Sequence, residues 1–138
     1  MPYKLQKIVI RTLQDDDPDL SYLEQECMGE EGKARLAEYG SSWWQEGIRA
    51  EATVYHTEPG SEVATIHTIT SGGIWGVESD SDRVYKEELA REELAELRGL
   101  CLDLNGVTPE AFAEAAAKAE NVEGEEDKRS SRFIHVDL

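Results

Sequence analysis

The stretch IRAEATVYH, residues 48–56, carries the clearest secondary-structure signal in the chain. Its apolar and polar residues alternate with a period of two, which is typical of a strand with one buried face. A Pro-Gly pair follows at 59–60, and residues 62–70 (EVATIHTIT) are again rich in β-branched side chains. Because Pro and Gly both favour tight turns, the two runs predict a β hairpin. Closing it at this pair would place Val54 beside Thr65.

The rest of the chain adds one further strand and several helices. Residues 4–13 (KLQKIVIRTL) predict a strand that is covered on both faces, because its central residues are all apolar. Residues 81–104 predict the longest helix, with apolar residues mostly three or four apart. A second helix should begin at Thr108-Pro109. A capping box over residues 21–24 predicts a short helix near the amino end.

These elements predict an α+β fold. We expect a small, mainly antiparallel sheet of three to four strands, packed by helices on one side. At 138 residues the chain is long enough for a single hydrophobic core, which we assign to residues 1–120. Residues 121–138 are expected to be an acidic, polar linker with a C-terminal tail or strand.

The chain is strongly acidic. It has 30 acidic and 14 basic side chains, and its formal net charge is −16. A field of this sign repels phosphate groups, so we expect no direct binding to nucleic acid or to membranes. A protein partner should therefore present a basic surface. High net charge also keeps proteins soluble and suits a salty habitat, so acidity alone does not assign a function.

Several absences in the sequence predict a cytoplasmic protein. No apolar run approaches the ~20 residues that span a bilayer, and the amino terminus lacks the apolar core of a signal peptide. Cys27 and Cys101 lie far apart in apolar helical patterns, so we expect two buried free thiols rather than a disulfide.

Residues 70–82 (TSGGIWGVESDSD) invite comparison with known binding loops. Glu78, Asp80 and Asp82 are spaced like the first ligands of a calcium loop. Such a loop needs a glycine at position six and a glutamate at position twelve, whereas arginine and leucine stand there. An EF-hand is therefore excluded.

The glycines of the same stretch match neither common phosphate-binding motif, and the nearby acids would repel an anion. The stretch instead predicts an elaborate turn from strand to helix. One of Ser79, Asp80 or Ser81 should cap the helix. We expect Trp75 to be buried between the hairpin and the helix.

Signals for catalysis are weak. The three histidines, His56, His67 and His135, have no metal-ligand cluster beside them, and no GxSxG elbow is present. Acids are too numerous for any pair to stand out as acid and base. We predict no enzymatic activity, no catalytic residue, no bound metal and no cofactor. A metal-dependent enzyme that uses Glu78, Asp80 or Asp82 with a histidine is the alternative.

Acidic residues cluster without bases in residues 14–31 and 120–127. Carboxylates spaced along a surface can imitate a phosphate backbone and occupy the basic cleft of a nucleic-acid enzyme. We therefore predict an acidic partner-binding face with Trp43 or Trp44 as its aromatic anchor, since adjacent residues of an extended segment point to opposite sides. The predicted face consists of Asp15, Asp16, Asp17, Asp19, Glu24, Glu78, Asp80, Asp82, Glu87 and Glu88.

Three segments resemble a known family. They are DDDPDLSYLEQE (15–26), GIRAEATV (47–54) and ITSGGIWGVESDSD (69–82). In this order, over roughly residues 5–105, they resemble a family of small, acidic, uncharacterised proteins of bacteriophages and bacterial genomes. The resemblance implies no catalytic residue. Its phage context implies an inhibitor of a host nuclease, such as a restriction enzyme or a CRISPR effector, acting by mimicry of nucleic acid.

The sequence therefore predicts a non-enzymatic inhibitor or accessory protein that binds a basic surface of a host nucleic-acid-handling protein. The competing hypothesis is a small structural or assembly protein whose acidity is an adaptation for solubility or habitat. The oligomeric state stays open, a homodimer included.

Overall fold

A mainly antiparallel six-stranded sheet forms the framework of the protein. The computed structural model describes residues 2–124 and 133–135. The strands are β1 (Lys4–Gln14), β2 (Gln45–Thr57), β3 (Val63–Thr70), β4 (Ile74–Glu78), β5 (Glu120–Glu123) and β6 (Phe133–His135). The helices are α1 (Gly29–Ala37), α2 (Arg83–Leu102) and α3 (Pro109–Ala117), with 3-10 turns at Ser21–Glu24 and Glu26–Met28.

The strand order is β5-β1-β2-β3-β6, and β4 also pairs with β2. Only the β1–β5 pair is parallel. The α+β prediction is thus confirmed, although the sheet has more strands than the expected three to four. The additional strands β4, β5 and β6 are five, four and three residues long. Segments this short contain too few alternations to produce a periodic signal.

The core lies between one face of the sheet and the helices α2 and α3. On β2, Ala50, Ala52 and Val54 are fully buried, and two of these side chains are small. Ala50 and Ala52 pack in one cluster with Leu97 of α2 and Phe112 of α3. Alanines at the centre of the sheet let the helices approach closely, because little side-chain volume stands between the two layers.

The hairpin is confirmed, but its predicted register was wrong by two residues. Val54 lies opposite His67 instead of Thr65, and the last pair joins Thr57 to Ala64. The turn is wider than the predicted two residues because Glu58–Ser61 forms its own hydrogen-bonded turn. Since side chains alternate with a period of two, a two-residue shift leaves each one on its expected face.

The amino-terminal helix prediction was wrong in detail. Ser21–Glu24 is a 3-10 turn, and Ser21 caps nothing; its amide donates to Asp19 Oδ1 at 3.0 Å. The first α-helix begins only at Gly29. Gly32 inside that helix has a packing reason, since a Cβ there would overlap the carbonyl oxygen of Leu23.

The carboxyl-terminal boundary also differs from the prediction. Residues 121–123 belong to β5 rather than to a linker, and β5 pairs with β1. The backbone of Phe133–His135 pairs with β3, which decides between a tail and a strand for these three residues. The rest of the predicted linker and tail, residues 125–132 and 136–138, lies outside the described residues. In the described part of the chain, no helix has the length and apolarity needed to cross a membrane.

The stretch between β3 and α2 contains the strand β4 between two short irregular segments, and it is not a single turn. β3 and β4 lie in succession along one edge of β2, separated by the SGG segment (Ser71–Gly73). Ser71 continues the ladder, because its amide donates to the Ala50 carbonyl and its hydroxyl oxygen accepts from the Ala50 amide, both at 2.9 Å. The turn into α2 is short. Asp82 caps the amino end of α2, because its side chain accepts from the Val84 amide at 2.8 Å. The predicted caps Ser79, Asp80 and Ser81 were wrong.

Two carboxylates of α2 hold the SGG segment. Glu93 Oε1 accepts from the Ser71 hydroxyl at 2.9 Å and from the Gly73 amide at 2.6 Å. Glu96 Oε1 accepts from the Gly72 amide at 3.2 Å. Glycine amides that could have bound an anionic ligand are therefore occupied by acids of the protein itself.

We expect Glu93→Ala to lower the free energy of unfolding by about 2–4 kcal/mol, because two donors lose a buried acceptor at a cost of roughly 1–3 kcal/mol each. Urea denaturation measures the change. Glu93→Gln retains an acceptor oxygen and should recover part of the loss. The control is Glu92→Ala at an exposed neighbouring position. Equal losses for Glu92→Ala and Glu93→Ala would contradict the role of Glu93.

Candidate functional site

The segment between β1 and β2 forms an acidic lobe, defined as residues 15–44. It contains nine acids and two bases. The two 3-10 turns and α1 belong to it, and both turns pack against α1. The Asp15 amide donates to the Gln45 carbonyl at 2.9 Å, which ties the beginning of the lobe to the sheet.

Trp43 is the core of the acidic lobe. It is 0% exposed, and its indole nitrogen donates to the Arg35 carbonyl at 2.7 Å. The guanidinium of Arg35 lies 3.8 Å from the ring centroid, and Tyr39 meets the ring edge-on at 5.0 Å. The prediction of Trp43 as a surface anchor is therefore wrong. Of the two adjacent tryptophans only Trp44 reaches the surface, with 37% of its area exposed.

Arg35 also fastens the acidic lobe to the β4–α2 turn. It binds both carboxylate oxygens of Asp80 at 2.7 Å and approaches Glu78 at 3.3 Å. The hydrogen bond from Arg35 lowers the pKa of Asp80. Tyr22 donates to Glu78 at 2.8 Å. Burial, together with this carboxylate, raises the pKa of Tyr22.

The acids of the alternative metal site thus have structural roles. Glu78 and Asp80 bind Arg35, and Asp82 caps α2. Across residues 2–124 and 133–135, no three His, Cys, Asp or Glu side chains are grouped so that they could hold a metal ion.

The remaining predicted acids differ in how freely they meet solvent. Asp15 accepts from the Asp17 amide, and Asp19 accepts from Ser21, whose hydrogen bonds lower the pKa of Asp19. Glu87 pairs with Arg83 at 3.0 Å. The other four, Asp16, Asp17, Glu24 and Glu88, are exposed, and their side chains have no partner among the residues that the structure describes.

Four of the ten predicted acids line two separate hollows. Glu87 lines a groove of about 330 Å³ between α2 and the sheet, which we call the α2 groove. Asp15, Asp16 and Asp17 line a separate, open hollow of about 430 Å³. Both hollows border β2, where successive side chains point to opposite sides of the sheet.

Lys86, which lines the α2 groove, is paired with other groups of the protein. Lys86 Nζ donates to Glu46 Oε1 at 2.9 Å and to the Ser79 carbonyl. The other oxygen of Glu46 accepts from the Trp44 indole at 3.2 Å. Ser79 Oγ accepts from the Trp44 amide. Lys86 and Glu46 thus form an ion pair that holds α2 to the sheet.

The second hollow is built around Trp75, and we call it the Trp75 hollow. Trp75 is 48% exposed, so its predicted burial was wrong. Its six-membered ring lies face-on against the backbone of Gly47, where a Cβ would overlap three consecutive ring atoms. Gly73 and Gly76, on either side of Trp75 along the chain, have positive φ angles of 86° and 77° that favour glycine.

The sequence contained one signal for this hollow. A glycine inside a strand often marks the close approach of another group, and Gly47 stands near the beginning of β2. The group that approaches Gly47 is not deducible from the sequence, because Trp75 reaches it only through the β2–β4 pairing.

The histidines and cysteines form no described site. His56 and His67 stack at 5.2 Å on the hairpin, with Tyr3 edge-on to both. The side chain of His135 lies outside the described residues. Both cysteines are free; Cys101 is buried, and burial raises its pKa to about 11. Cys27 is exposed on a 3-10 turn, so its predicted burial was wrong.

The link between Arg35 and Asp80 predicts a pH-dependent stability. A carboxylate whose folded-state pKa is lowered stabilises the protein above the ordinary pKa of aspartate, about 4, and this contribution is lost as the pH falls through the lowered value. We expect Asp80→Asn to cost roughly 0.5–1 kcal/mol of unfolding free energy at pH 7, since the pair is partly exposed. As the pH falls toward 2, the difference between the variant and the wild type should narrow.

Urea denaturation at both pH values measures this difference. The control is Asp16→Asn, which removes an exposed carboxylate without a partner and should change little at either pH. A loss that is equally large at pH 2 and pH 7 would show that the Asp80 carboxylate does not stabilise through its charge.

Comparison with known proteins adds no assignment. No protein-family model, curated protein or solved structure matches this chain. The resemblance to phage proteins therefore stays a prediction.

Proposed function

We propose that this protein is a non-enzymatic inhibitor that binds a basic surface of a nucleic-acid-handling protein and occupies it as a mimic of nucleic acid. The observation that carries the proposal is the uncompensated charge of the acidic lobe. Both of its bases have acidic partners within the protein, because Lys33 lies 3.4 Å from Glu30 and Arg35 binds Asp80. The exposed carboxylates of the lobe that have no partner within residues 2–124 are Asp16, Asp17, Glu24, Glu26, Glu31 and Glu38.

A one-signed surface of this kind suits association with a basic partner. Carboxylates held without counter-charges give a negative potential that accelerates encounter with a positive cleft. The same potential disfavours direct binding to DNA or RNA. Since exposed charges are screened by salt, affinity for such a partner should fall as ionic strength rises.

The structure favours this function over the metal-dependent alternative. Glu78, Asp80 and Asp82, the acids which that enzyme would use, are engaged with Arg35 and with the amino end of α2. A metal would have to displace these interactions before it could bind.

The resemblance to phage-borne proteins supports the choice of partner. Restriction enzymes and CRISPR effectors bind nucleic acid through positively charged channels, which is the surface a carboxylate array would fit. Two free cysteines agree with action in the cytoplasm, where thiols stay reduced. We therefore propose a host nuclease as the target.

The test uses a panel of purified restriction endonucleases and CRISPR effector nucleases. Binding to the immobilised protein is measured from about 50 to 300 mM NaCl, together with inhibition of DNA cleavage. We expect at least one nuclease to bind and to be inhibited, with affinity that falls as salt rises. Affinity that does not change with salt, or the absence of any bound nuclease, would contradict the proposal.

Charge-matched variants locate the binding surface. The triple variant Glu24→Gln/Glu26→Gln/Glu31→Gln removes three lobe carboxylates and should weaken binding about tenfold, since each contact contributes up to ~1 kcal/mol. The control variant Glu92→Gln/Asp103→Asn/Glu110→Gln removes the same charge from exposed positions outside the lobe. Equal effects of the two variants would mean that net charge, and not the lobe, drives binding.

A further inference from the structure

We propose that the Trp75 hollow is a binding site for an arginine side chain of the basic partner. This inference rests on the proposed function and deepens it, because it states which partner group is recognised and where. Four features of the hollow carry it: an exposed aromatic face, a rigid support, unpaired carboxylates, and an equivalent arrangement elsewhere in the protein.

The aromatic face is available and fixed. One face of the Trp75 ring lies against Gly47, and 48% of the residue stays exposed. The backbone just before the ring is held from behind, because the Gly73 amide donates to the buried carboxylate of Glu93 at 2.6 Å. A half-exposed tryptophan with a fixed backbone offers a stacking surface at little entropic cost.

Carboxylates border that face. The hollow is lined by Asp15, Asp16 and Asp17 as well as by Trp75. Asp15 accepts from the Asp17 amide at 3.0 Å, which shapes the loop. The carboxylates of Asp16 and Asp17 are exposed and have no partner in the described part of the chain, so both can accept from an incoming donor.

The one cation among the described residues of the hollow is already paired. Arg49 lines it, but its guanidinium binds Glu51, which also binds Arg11 at 2.8 Å. The three aspartates outnumber this paired arginine, so the hollow keeps a negative balance at its open side. An incoming cation would meet the free carboxylates of Asp16 and Asp17.

The acidic lobe contains an arginine that is bound by a tryptophan and an aspartate of the protein itself. Arg35 lies 3.8 Å from the ring centroid of Trp43 while it binds both oxygens of Asp80 at 2.7 Å. The Trp75 hollow likewise contains an aromatic ring and aspartates, but its own arginine, Arg49, binds Glu51. An arginine of the partner could therefore stack on Trp75 and bind the aspartates, as Arg35 does with Trp43 and Asp80.

Arginine fits this site better than lysine does. A guanidinium is planar, so it can stack on the indole and still donate two parallel hydrogen bonds to a carboxylate. An ammonium group is a compact, strongly hydrated charge that cannot do both. The hollow should therefore discriminate between the two basic side chains, whereas a diffuse acidic surface would not.

The test compares blocked hexa-arginine and hexa-lysine peptides at about 50 mM NaCl. We expect the wild-type protein to bind the arginine peptide at least threefold more tightly, a preference consistent with exposed cation–π contacts. The arginine peptide should also shift the NMR signal of the Trp75 indole N–H. Trp75→Ala should remove the preference and Trp75→Phe should retain part of it, with circular dichroism confirming that both variants are folded.

Two control variants make the outcomes distinct. Trp44→Ala removes the other half-exposed tryptophan and should keep the preference, while Asp16→Asn/Asp17→Asn should reduce it. If Trp75→Ala binds both peptides as the wild type does, the inference is wrong; weaker peptide binding by the Glu24/Glu26/Glu31 triple variant would then still support the proposed function. If neither peptide binds the wild type and no nuclease binds it either, both proposals fail.

Discussion

The buried carboxylate of Glu93 is the interaction on which the functional end of the molecule depends. By accepting from Ser71 and Gly73 it lets the chain interrupt a strand without leaving polar groups unpaired, and β4 then continues along β2. This continuation sets Trp75 against Gly47 and brings the β4–α2 turn to Arg35. The path of β4 along the sheet, the attachment of the lobe and the Trp75 hollow therefore all depend on Glu93.

Three cations near the lobe and the hollow are paired within the protein: Arg35, Arg49 and Lys86 each bind one of its carboxylates. Asp16 and Asp17 face solvent and have no partner among the described residues. Internal ion pairs thus have two effects: they join the elements, and they leave the surface with an excess of negative charge available to a basic partner.

The sequence predicted the features that depend on local pattern. The period-two run at 48–56 and the long helix follow from residues close together in the chain, and both were confirmed. The hairpin register and the exposure of Trp75 depend instead on turn geometry and on a distant strand, so they could not be deduced from spacing. The sequence identified the exposed acids as a group. It could not show that some of them line one hollow and some the other, because that depends on the face of β2 beside which they lie.

The distribution of charge also bears on the simplest competing explanation. Acidity that served only solubility or a salty habitat would be expected on every exposed element, because such selection acts on the whole surface. In this chain α2 has five acids and four bases, whereas the acidic lobe has nine acids and two bases, both already paired. The acidic lobe accounts for −7 of the net charge of −16 within 30 of the 138 residues, so the excess is denser there than in the rest of the chain. Asp15, Asp16 and Asp17 of the lobe line the same hollow as the half-exposed Trp75, an arrangement that suits a basic protein partner and supports the proposed function.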